Sequence, residues 1–279
     1  MTIDMSTTRT DLALESVQAA RSGAEAGTIS GVRSRERTRE GYAVTDIRVE
    51  DEDGAQALGK PVGRYVTVDL GPYFRREADY FDRGVRCLAG ELAALLPEGP
   101  VLAAGLGNRA MTCDAVGPAS IDNLLVTRHM IRAMPRQFAD FRPVAAVCPG
   151  VLARTGLEAL ELVRGAVERV RPAAVIAVDA LAARDSARLC ATVQLSDTGL
   201  VPGSGVGNRR SALDRGTLGV PVIAVGIPTV VDADPRAGLF LTPRDIDQRI
   251  RELGRLLGYG ITLALQPSLT AADVTALLG

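Results

Sequence analysis

Downstream of Gly99–Pro100 short continuous apolar runs alternate with segments of helical period. "VLAAGLG", "VAAVCPG" and "AAVIAVDAL" read as buried strands, and "PASIDNLLVTRHMIRAM" and "GLEALELVRGAVERV" as the helices between them. "CATVQLSD" and "VPVIAVGIPTVVD" add two more strands, and "TPRDIDQRIRELGRLL" a closing helix. Thr242 is expected to cap that helix, with Pro243 at its first position and Asp245 at its third. Strands apolar throughout, separated by amphipathic helices, imply an α/β fold: a mostly parallel sheet with helices on both faces. Upstream, "YAVTDIRVED" and "GRYVTVDLG" are rich in β-branched and aromatic residues and read as an added N-terminal hairpin. From Phe74 to Leu96 apolar residues at Phe81, Val85, Leu88, Leu92 and Leu95 predict a helix. Residues 1–40, with the polar run "GVRSRERTRE", lack a core-forming period and are expected to be a loosely ordered arm. Residues 41–279 then form a single α/β domain.

Composition narrows the partners. The chain has 279 residues, 47% of them apolar, and a formal net charge of −1, so it can bury a sizeable core. No long basic run points to nucleic acid, and no long apolar run points to a membrane span. The N-terminus lacks the basic-then-apolar order of a secretory signal. Cys87, Cys113, Cys148 and Cys190 are widely spaced, which fits a reduced, cytoplasmic compartment and argues against structural zinc. Lys60 is the only lysine, and is read as compositional bias towards arginine.

In an open parallel sheet, reactive groups collect at the carboxyl ends of the strands. Three loops fall there: "GLGNRAMTCDAVGP", "VDALAARDS" and "DTGLVPGSGVGNRR". The first carries Asp114 and the second Asp179, one βαβαβ excursion apart. If they converge, two carboxylates that cannot both ionise easily would share a proton, one activating water and the other protonating a carbonyl. The plain alternative is a turn-closing Asp114 and a helix-capping Asp179. "GLGN" lacks the third glycine of a dinucleotide loop, and "GSGVGN" precedes no clear helix. His129, the only histidine, could in principle pair with Cys113, but a mid-helix histidine is more often structural. No GxSxG elbow is present. An oxygen-rich site at the two aspartates could also hold a hard metal ion.

The motifs "RTDLALES", "GLGN…TCDAVGP…NLLVTRHM", "VIAVDALAAR" and "QLSDTGLVPGSGVGNRRSALDRGTLGVPVIAVGIPTVVDA" resemble the germination proteases of spore-forming bacteria. The resemblance runs from Arg9 to the C-terminus and is densest over residues 101–233. It implies an atypical aspartic endopeptidase on a fold similar to hydrogenase maturation proteases, using no cofactor. It also implies a cytoplasmic, spore-core enzyme that degrades small acid-soluble DNA-protecting spore proteins and touches neither nucleic acid nor membrane. Such enzymes are made as zymogens, trimmed near the N-terminus, and assemble as homotetramers. Carried onto this chain, the resemblance assigns Asp114 and Asp179 as catalytic and places trimming at Asp11 and Leu12. Asn108, Asp197, Gly203, Ser204, Gly205, Asn208 and Arg209 are expected in loops that support the site or bind substrate. Two departures stand out: a short passage after "VVDA", where the family is expected to carry an insertion, and Cys113 beside the aspartate. A metal-binding maturation-type peptidase and a catalytically silent binding protein are the alternatives.

Overall fold

Alternation along the central strands sets the two faces of the sheet. Val101, Ala103, Ile176, Val178, Ile223 and Val225 enter one apolar core, while Leu102, Ala104, Val175, Ala177 and Val222 enter a second on the opposite face. Period-2 strands buried on both sides must be covered by helices twice, and they are. The structure is a computed structural model that describes residues 10–22, 29–208, 210–234 and 238–279.

Within those residues the strands are β1 (Val32–Arg39), β2 (Tyr42–Val49), β3 (Gly63–Asp69), β4 (Val101–Gly105), β5 (Val144–Val147), β6 (Ala174–Ala183), β7 (Thr192–Ser196), β8 (Val222–Asp234) and β9 (Leu239–Leu241). The helices are α1 (Ala13–Ser22), α2 (Glu52–Leu58), α3 (Gly71–Phe74), α4 (Tyr80–Ala93), α5 (Val116–Asp122) and α6 (Arg128–Ala133). They continue as α7 (Leu152–Thr155), α8 (Ala159–Val170), α9 (Arg215–Leu218), α10 (Ile246–Leu265) and α11 (Ala271–Leu278). All strands join one sheet in the order β1-β2-β3-β7-β8-β6-β4-β5, with β9 on β8. The expected helix-flanked α/β architecture holds, with α4, α5 and α10 over one core and α8 and α9 over the other. Its parallel part is β5-β4-β6-β8; β7 and the N-terminal strands extend it antiparallel. The chain leaves β4 for β5 on one side and returns to β6 on the other. The crevice at the carboxyl ends of β4 and β6 is therefore the switch point of the sheet. Among the described residues no helix is long and apolar enough to cross a membrane.

Three expectations change. Residues 1–40 are not loosely ordered where they are described: α1 packs Ala13 and Val17 against Ile47, Val49 and Tyr65, and β1 pairs along its whole length with β2. The polar β1 escapes an apolar-period reading because ions replace apolar contacts on its inner face. Arg37 and Arg39 both bond the fully buried Glu91 of α4. The helix expected over 118–134 divides into α5 and α6, because Thr127 is tied to β5 instead. Its hydroxyl donates to Arg142 O (2.5 Å) and accepts from Val144 N (2.9 Å). The closing helix begins at Ile246, three residues late, since the Thr242 hydroxyl donates to Thr229 O (2.8 Å) rather than capping. No described residue before Leu12 belongs to an apolar core.

Candidate active site

β4 ends in a turn that only glycine can make. Gly107 has φ +106°, and a Cβ there would lie 2.0 Å from Asp114 O and 3.0 Å from Asp114 Oδ1. The missing side chain lets the loop fold back so that Asp114 Oδ2 accepts the Asn108 N–H at 2.7 Å. The loop thus presents a carboxylate. Asp179 lies on β6 itself, opposite Gly226 of β8, and is 6% exposed. Its Oδ1 accepts the adjacent Ala180 N–H at 3.0 Å.

Electrostatics separate the two groups. Burial raises the Asp114 carboxyl above the usual range, opposed by the Asn108 N–H, which favours the ionised form. Asp179 is pushed well above that range, first by burial and then by the charge of Asp114, with a smaller push from Asp11. Of the two, Asp179 is the more favoured seat for a proton.

Both aspartates line one cleft of about 1220 Å³. Asn108, Gly203, Ser204, Gly205 and Asn208 line it with them. Asp197 does not: its Oδ1 accepts from Arg64 N at 2.7 Å, closing the β3–β7 end outside the cleft. Arg209 lies outside the described residues. Cys113 lines the cleft with its thiol raised by burial, whereas His129 is exposed on α6 and does not. Among the described residues no three His, Cys, Asp or Glu side chains form a metal-binding group.

Thr10 and Asp11 of the N-terminal segment line the same cleft. Asp11 takes the Ser204 hydroxyl on Oδ1 (2.7 Å) and the Ala182 N–H on Oδ2 (2.8 Å), and its own N–H reaches Ala182 O (3.0 Å). Gly205 makes room, since a Cβ there would lie 2.1 Å from Asp11 Oδ2. Leu12 is fully buried among Leu181, Ala183, Leu189 and Val231. Glu15 then accepts backbone N–H groups from Arg184 (2.8 Å) and Asp185 (2.9 Å). Two residues that sequence reasoning passed over hold this segment. Lys60 Nζ donates to Thr10 O at 3.0 Å, its ammonium lowered by burial against the pull of Asp11 and Glu15. Gln194 bonds the backbone of Asp11 and Ala13. Lys60 is therefore a site residue rather than compositional residue, and its being the only lysine was the available signal. For Gln194 the signal was a polar residue alternating with Val193 and Leu195 in a central strand.

The comparisons with known proteins agree with one another. A germination protease from Caldanaerobacter subterraneus is 40% identical over 97% of this chain and 98% of its own. That alignment spans 320 positions against a chain of 279, so the relative carries residues that this chain lacks. One from Clostridium perfringens is 36% identical over the same shares, and one from Bacillus cereus 41% identical over 90% of this chain and 69% of its own. Among solved structures, the NiFe hydrogenase maturation protease HycI of Thermococcus kodakarensis aligns at 16% identity and TM-score 0.36, over 61% of this chain and 98% of its own. The family model described as germination protease matches residues 9–237. By that match and by the near-full-length identity, the chain belongs to the germination protease family.

Proposed function

We propose that this germination peptidase is an endopeptidase of the spore core that degrades small acid-soluble DNA-protecting proteins, with Asp114 and Asp179 as its catalytic pair. The observation that carries the reading is that buried Asp179 and half-buried Asp114, carboxylates of unequal proton affinity, line one cleft at the switch point. Ionised Asp114 takes a proton from water as the water oxygen bonds the substrate carbonyl carbon. Neutral Asp179 gives its proton to the carbonyl oxygen. As the C–N bond breaks, Asp114 returns its proton to the departing nitrogen and Asp179 recovers the proton from oxygen. No cofactor enters these steps.

The chain is made as a zymogen, and the segment through Asp11 is its blocking arm. This part of the reading is supported by Thr10 and Asp11, which line the cleft that a substrate must enter, with Asp11 held there by Ser204 and Ala182. Cutting after Asp11 removes the blocking residues and leaves α1 in its apolar packing. The chain assembles as a homotetramer in this reading; Leu239, Phe240 and Leu241 of β9, three consecutive exposed apolar residues, support association but not the number of copies. The test is incubation of purified small acid-soluble spore proteins with the chain before and after trimming, with fragments mapped by mass. Internal cleavage by the trimmed chain is expected. Intact spore proteins after incubation with it would overturn the substrate assignment.

A further inference from the structure

Gln194 takes no part in the proton transfers above, yet it is 8% exposed in the middle of a sheet, with β3 and β8 on either side. A buried amide is costly unless both ends are bonded. Both are, and to one segment: Oε1 accepts the Ala13 N–H at 2.7 Å, and Nε2 donates to Asp11 O at 3.0 Å. The first bond fixes which way the amide faces, because only its oxygen can take an N–H. The second then aims a buried N–H at the carbonyl oxygen of the Asp11–Leu12 peptide.

The sheet places that donor in the same row as Asp179. Gln194 and Asp179 both stand opposite Gly226 on one face, and the Leu181 side chain from β6 folds over the glycine between them. Val193 and Leu195 turn to the other face, into the core under α4 and α10. Trimming after Asp11 would leave Ala13 on its side of the cut, so Gln194 Oε1 stays anchored while Nε2 loses its partner. The freed N–H then points at the place where the Asp11 carbonyl lay.

We propose that Gln194 is a further catalytic residue, the donor that meets the developing negative charge on the carbonyl oxygen of the bond being cut. When the water oxygen bonds the carbonyl carbon, the C=O electron pair moves onto that oxygen. The Gln194 N–H stabilises it there, alongside the proton that Asp179 delivers. A donor fixed before the reaction needs no reorganisation as charge develops, and its gain is largest in the transition state. The role rests on the peptidase reading and on Asp11–Leu12 lying in the cleft as a substrate bond does.

The test is steady-state cleavage of a spore-protein peptide by the trimmed chain, parent against Gln194→Met, with melting temperatures of both. Loss of a donor of this kind lowers kcat by about a hundred- to a thousandfold, and KM is expected to stay within about threefold, because the bond strengthens only in the transition state. A thioamide in place of the cut carbonyl, a poorer acceptor, should slow the parent and slow Gln194→Met much less. Unchanged kcat in a folded Gln194→Met, a loss confined to KM, or an equal thioamide effect in both chains would each overturn the role. A parent chain that cuts no peptide would instead remove the peptidase reading, and this role with it.

Discussion

Replacing Asp11 by alanine tests whether the N-terminal segment blocks the cleft by being held there. The carboxylate takes two hydrogen bonds, from the Ser204 hydroxyl at 2.7 Å and the Ala182 N–H at 2.8 Å. Hydrogen bonds to a charged group contribute about 1.5–3 kcal/mol each. Asp11 is half-buried, so solvent screens part of this and the lower end of the range is appropriate. Losing both then weakens docking by about 3 kcal/mol, which is about a hundredfold in the docked-to-free ratio of the arm. Lys60, Gln194 and buried Leu12 still hold the segment, so the fold is unaffected. The assay is cleavage of a fluorogenic peptide by untrimmed Asp11→Ala, with intact mass measured before and after to exclude trimming. Activity should rise about a hundredfold over the untrimmed parent, or up to the level of the trimmed chain if that comes first. Unchanged activity with an intact N-terminus would refute blocking by these contacts.

Asp179→Asn should raise the melting temperature at pH 7, at about 2–4 °C per kcal/mol recovered. The sign follows from its raised carboxyl: the native state keeps the proton that the unfolded chain releases, so stability is lost as pH rises above the usual carboxylate range. The gain should vanish near pH 4, and equal melting at both pH values would contradict it. Glu91 carries the opposite sign. Burial raises its carboxyl, but Arg37 and Arg39 more than offset this and hold it below the usual range. Its stabilisation is present above that range and lost as pH falls through the lowered value. Glu91→Ala should therefore destabilise by about 3–5 kcal/mol at neutral pH, read by urea melts, and a loss under 1 kcal/mol would discount the cluster. Cys113→Ala and His129→Ala should keep most of the peptidase activity, and alkylation that inactivates the parent but spares Cys113→Ala would implicate the thiol.

The parts legible in the sequence are those whose physics is local. The runs ending at Gly105 and Asp179 read as strands because continuous apolar stretches of that length pack on both faces. Asp114 and Asp179 are legible as candidates because each follows or closes such a run, although β6 continues past Asp179 to Ala183. β1 was missed because its inner face is satisfied by Glu91, which lies 52 residues from Arg39. The break at Thr127 was invisible for the same reason, its partners being Val144 of β5 and Arg142 just before it. Asp197 is expected in the site by the family resemblance, but its bond from Arg64 N holds it at the strand end. Gln194 depends on a segment 181 residues away, and no window along the chain contains both.

If Asp114 and Asp179 together activate water, the turnover number of trimmed Asp114→Asn and Asp179→Asn on one peptide reports it most directly. Each amide fills the carboxyl's volume but can neither take the proton from water nor carry one to the carbonyl. Each substitution should therefore lower kcat by at least about a thousandfold, a barrier increase of about 4 kcal/mol. Melting curves should remain cooperative, with Asp179→Asn at or above the parent. Turnover within about tenfold of the parent, in either folded variant, would contradict that role for the aspartate concerned.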